Sequence, residues 1–172
     1  MKRRITILLI IVTAFLVQST ILPGLQFASV GPNLLVIVTA SFGFMRGRKE
    51  GMAVGFTAGL FFDLFWGTSL GFHMLLFSVI GYMNGSFQKL YYDEDIKLPL
   101  VLIGSSEFFY GVATCFFIYV LKGDFDFLNH LVHIIIPELV YTILATLILY
   151  QIILHVNKRL EAEEQRSASK FV

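Results

Sequence analysis

Charge is scarce in this 172-residue chain, and so are the residues that build most catalytic and metal centres. Charged residues make up 15% of it, against about 25% in an average soluble domain. There is one cysteine, Cys115, which excludes an intrachain disulfide framework and any cysteine-based metal site. The sequence holds no Gly-rich phosphate loop ahead of a helix, no HExxH, no CxxC and no recognisable Ser/His/Asp frame. It carries no basic stripe of the kind that binds nucleic acid. No cofactor is implied. Apolar residues are plentiful instead: 56% are hydrophobic, with 18 Phe and 7 Tyr, and the mean hydropathy is +0.77. A soluble globule of this size cannot hide that much apolar surface, and a disordered chain would be more polar. The composition predicts an all-α polytopic membrane protein.

Six segments are apolar enough to be membrane spans, at about 5–22, 32–45, 51–66, 72–87, 98–121 and 137–155. The first follows Lys2, Arg3 and Arg4 and lacks a small-x-small cleavage site before Pro23-Gly24, so it reads as a retained helix. The second is short and meets the basic hairpin Arg46-Gly47-Arg48-Lys49-Glu50. A Gly-flanked turn, Gly67–Gly71, joins the third and fourth, and residues 88–97 form a polar loop. Residues 125–136 are apolar but interrupted by Asn129, His130 and His133, and Pro137 follows. They read as an interfacial segment ahead of the last span; one kinked helix from Leu128 gives the same count of six. Residues 156–172 form a tail, helical only at its start. The whole chain, 1–172, is expected to be one integral membrane domain. With the N-terminus inside, segments 1–4, 46–50, 88–97 and 156–172 hold 12 of the 13 basic residues, leaving only Lys122 outside. The positive-inside rule therefore places both termini in the cytoplasm.

Four ionisable side chains fall within or at the edge of the spans: Asp63, His73, Glu107 and Glu138. A carboxylate at the bilayer centre costs about 2.5–3.5 kcal/mol on insertion scales, so Asp63 must face protein or water. It lies roughly 20 Å along its helix from Glu50, in the outer third. It also continues a stripe of Gly51, Gly55 and Gly59, four residues apart, which lets another helix come close. Ala53 and Ala58 lie off that stripe. Asp63 either caps the following turn or lines a pocket, with His73 as its hydrogen-bonding partner. One His and one Asp do not complete a metal site. Glu107 sits roughly 13 Å into the fifth span, near Tyr110, without a basic partner. Asp63, His73 and Glu107 are the candidate intramembrane polar pocket. Glu138 follows Pro137, where a carboxylate complements a helix N-terminus. Too few groups are present to assemble a nucleophile, a base and oxyanion donors, so no enzyme is expected.

The order of motifs resembles a known family. Pro32-Asn33-Leu34-Leu35 opens a short helix, and Phe44-Met45-Arg46-Gly47-Arg48-Lys49-Glu50-Gly51 makes the hairpin. Gly55-Phe56, Gly59-Leu60 and Asp63-Leu64 step along the next helix, followed by Gly67, Leu70-Gly71, His73 and Leu76, then Gly81-Tyr82 and Gly85. Together these look like the rod shape-determining protein MreD family, most strongly over residues 30–90. The resemblance implies a bacterial inner-membrane protein of the cell-elongation machinery. It implies MreC as direct partner and links through it to RodA, penicillin-binding protein 2 and MreB. It also implies a fold similar to the substrate-binding subunits of energy-coupling factor importers, which makes a solute-binding subunit the alternative function. None of the matching motifs is catalytic.

Overall fold

A computed structural model describes residues 2–21, 31–66, 70–91, 96–122, 129 and 131–168. Their regular structure is entirely helical, with six α-helices: α1 (Lys2–Leu16), α2 (Leu34–Arg46), α3 (Arg48–Phe65), α4 (Phe72–Gly85), α5 (Lys97–Lys122) and α6 (Ile136–Ala168). The helical stretches Arg3–Thr20, Lys97–Phe117 and Leu131–Arg166 each contain a run long and apolar enough to cross a membrane. Their outward faces carry bare apolar side chains such as Ile5, Phe116 and Ile148, a surface suited to lipid.

α2 is the centre of the bundle. Every residue from Leu34 to Met45 is buried, with α3, α4, α5 and α6 packed around it and α1 against its side. Its apolar run is capped at the start by Asn33, whose side-chain oxygen accepts the Val36 N–H at 3.3 Å. It ends at Gly47, whose φ of +93° is a left-handed conformation suited to glycine, and α3 begins at the next residue. The basic hairpin is therefore a one-residue joint. Thirteen residues make α2 only about 20 Å long, against a hydrocarbon core of about 30 Å. Its Asn33 end consequently stops inside the bundle, and the polar groups that satisfy that end must be buried too.

The end of the chain departs from expectation. A π-helical turn, Leu131–Ile135, runs directly into α6, so Pro137 lies inside a continuous helical run, where its missing N–H costs the preceding turn one carbonyl partner, and Glu138 does not stand at a free helix start as expected. The interfacial segment expected at 125–136 is thus helical from Leu131; residues 125–128 and His130 lie outside the described residues, as do 67–69 of the Gly67–Gly71 turn and 92–95 of the polar loop. The tail expected to be helical only at its start stays helical to Ala168. Burial of Leu160 and ion pairs from Glu161 and Glu164 to the bundle account for the extra turns.

Candidate functional site

α3 and α4 form the closest pair in the bundle, and glycine makes the approach possible. A Cβ placed on Gly55 would collide with the Phe77 carbonyl, and one on Gly59 would lie 2.5 Å from the His73 carbonyl oxygen. On Gly51 it would strike the Gly81 carbonyl and sit 2.6 Å from Cα of Gly43 on α2. The stripe thus packs on backbone, and α4 answers with Gly81 and Gly85 against Gly51 and Arg48. Gly43, Gly81 and Gly85 were not singled out as packing positions, although their spacing is visible in the chain. Ala58, off the stripe, is also fully buried; Ala53 is exposed.

Asp63 sits at the far end of this seam with its side chain fully buried. Its Oδ2 accepts the N–H groups of Gly71 at 2.8 Å and Met74 at 3.2 Å, and Oδ1 accepts that of His73 at 3.3 Å. These are orphan donors at the N-terminus of α4, which has no cap of its own because Gly71 (φ +102°) has no side chain. The carboxylate of α3 therefore caps α4 across the helix pair. His73 Nδ1 lies 2.7 Å from the same Oδ1. Phe62, Phe72 and Tyr110 close around the imidazole, with ring centroids 4.2, 5.0 and 6.1 Å from it.

Glu107 belongs to a second group, across Tyr110 from the first. It is 1% exposed, and neither carboxyl oxygen has a well-formed hydrogen bond among the described residues. Asn33 and Glu138 are polar side chains close enough to interact with it. Asn33 is fixed by donating its N–H to Thr142 Oγ1 at 3.0 Å, and Thr142 is itself fully buried. No hydrogen bond joins Glu107 to Asp63 or His73 among the described residues. The approach of Glu138 was missed, since 31 residues separate it from Glu107. A further buried link, Asn84 Nδ2 to Ser106 Oγ at 2.7 Å, ties α4 to α5. Nothing in their composition marks these two amongst the other polar residues.

The hairpin residues diverge at the opposite, basic end. Arg46, only 9% exposed, reaches α6, donating to Asn157 Oδ1 and to Glu164 at 2.9 Å. Arg3 of α1 bridges Glu50 of α3 and Glu164 of α6. Arg48 lies over the Tyr82 ring at 5.4 Å, and Lys49 is exposed. The pairs join α1, α2, α3 and α6 in one charged knot.

These arrangements hold helices together; none places a nucleophile beside a base, and no group of three or more His, Cys, Asp or Glu among the described residues is placed to hold a metal. No curated protein and no solved structure matches the chain. A family model, rod shape-determining protein MreD, matches residues 1–159. A match over nearly the whole chain, on a bundle of lipid-suited helices, has one consequence: the chain belongs to the MreD family of rod shape-determining membrane proteins.

Proposed function

We propose that this chain is a non-enzymatic scaffold of the bacterial cell-elongation complex, seated in the cytoplasmic membrane as one integral domain with both termini inside. It binds MreC directly and, within the wider assembly, is linked to RodA, penicillin-binding protein 2 and MreB, so that peptidoglycan synthesis is positioned and rod shape maintained. Family membership over residues 1–159 is the observation that carries this reading. The chemistry agrees with it, because Asp63 and His73, the best-placed reactive pair, are occupied in capping α4. The orientation rests on the 12 of 13 basic residues at one set of helix ends.

Affinity capture of the tagged chain from its own membrane tests the proposal. MreC is the expected companion; an ATPase importer module without MreC would overturn it. Cysteine labelling in intact cells, on a Cys115-free background, tests orientation: a cysteine at residue 124 reacts with an impermeant reagent and one at residue 93 does not.

One observation favours the second reading, a solute-binding subunit with a fold like those of energy-coupling factor importers. Asn33, Glu107, Glu138 and Tyr110 converge at the Asn33 end of the short α2, beside the Asp63–His73 pair. A solute-binding subunit needs several polar groups gathered in its outer half, and this cluster supplies more of them than the sequence alone suggested.

A further inference from the structure

A groove of about 500 Å³ opens between α1 and α3 at the basic end of the bundle. Its mouth carries Arg4 and Lys49, both exposed and in the first turns of their helices. Neither makes an ion pair among the described residues, whereas Glu50 on the same rim is bound to Arg3. The mouth therefore keeps two unspent positive charges. Deeper in, the walls turn apolar, with Ile11 of α1 and Ala53 of α3 among the lining residues, and Thr57 lies farthest along α3. Arg4 to Ile11 and Lys49 to Thr57 are each about 10–12 Å along a helix, so the groove runs down into the hydrocarbon from its charged rim.

We propose that this groove is a binding site for an anionic phospholipid, with the phosphate between Arg4 and Lys49 and one acyl chain along Ile11 and Ala53. Charge complementarity selects the occupant. Basic residues beside an apolar slot at the membrane surface attract anionic headgroups, while an acyl chain fills a wall that offers few polar partners. A partner helix could cover the apolar wall but would have no use for two exposed cations at its edge. The proposed orientation decides only which leaflet supplies the lipid; a bilayer with the same lipids in both leaflets removes that dependence, so a failed topology assay and a failed lipid assay remain distinguishable.

The test is native mass spectrometry of the purified full chain released from nanodiscs holding equal phosphatidylglycerol and phosphatidylcholine. Wild type is expected to retain phosphatidylglycerol preferentially. Arg4→Gln/Lys49→Gln is expected to bind it about 25-fold more weakly, as the product of about 5-fold for each basic residue. Ala53→Trp, which fills the slot from an exposed position, is expected to lose the lipid while the chain still elutes as a folded species. The charge-matched control Lys89→Gln/Arg159→Gln, whose side chains lie outside the groove, is expected to retain it. Equal retention of the two lipids by wild type overturns the proposal. So does equal loss in the control and the groove variant, or undiminished retention in Ala53→Trp.

Discussion

Asp63 and Glu107 are both carboxylates buried in helices, yet their surroundings assign them different work. Asp63 receives three backbone N–H groups and an imidazole. An amide keeps one oxygen, enough for one of the two donor pairs that Oδ1 and Oδ2 divide between them, so Asp63→Asn is expected to keep much of the fold. Asp63→Leu leaves orphan donors at the start of α4, each costing about 1–3 kcal/mol when buried. Its melting temperature in detergent is expected to fall well below that of the Asn variant, and equal values would refute the capping role. Glu107 has no such partners, only a second carboxyl and an amide nearby. A buried carboxyl left without hydrogen bonds is a burden to the fold, not a brace.

The α3–α4 seam depends on backbone meeting backbone, because close packing is the main attraction between helices in lipid. A side chain at Gly55 or Gly59 has no flexible neighbour to push aside. Gly55→Leu is expected to cost at least the roughly 1–3 kcal/mol typical of overpacking and to reduce folded yield by fluorescence-detected size exclusion. Leu at Ala53, which is exposed, is expected to be mild. Ala58, expected from the stripe alone to be a mild position too, is fully buried and belongs with the sensitive ones. If Gly55→Leu folds normally and loses only MreC, the stripe faces the partner. The tail of α6 depends on charge instead. Slight desolvation pushes the Glu164 carboxyl up, but hydrogen bonds and charges from Arg46 and Arg3 outweigh it and hold the group below its ordinary value. Because the folded value is the lower one, the clamp is intact above the usual glutamate range near about 4.3 and is lost as pH falls through the lowered value. Amide exchange in residues 158–168, corrected for intrinsic rates, is expected to accelerate over that interval and in Glu164→Gln at neutral pH. Unchanged exchange in both would show that the Glu164 clamp does not hold the tail.

Helical segments and the glycine stripe were legible across the whole molecule because each is a local pattern: apolar runs bounded by charge, and glycines four apart. The pairing of Asp63 with His73 was legible for the same reason, since a tight turn separates them. Three features were not. Glu138 meets Glu107 across 31 residues of sequence through the packing of α6 on α5, which no local pattern shows. Asn84 and Ser106 meet by the register of α4 against α5, which no local pattern encodes. The tail reads as solvated, yet Arg46 and Arg3 reach it from helices more than 100 residues away in the chain. The family's role in rod shape determination is carried by the match over residues 1–159; the scaffold reading adds that this role needs no ionisable group in the membrane. Its most direct test is complementation of cells depleted of the chain with the triple variant Asp63→Asn/Glu107→Gln/Glu138→Gln. The account predicts that cells containing the variant at wild-type membrane levels remain rods. Rounded cells at that same level of protein would contradict it and give these carboxylates a chemical task.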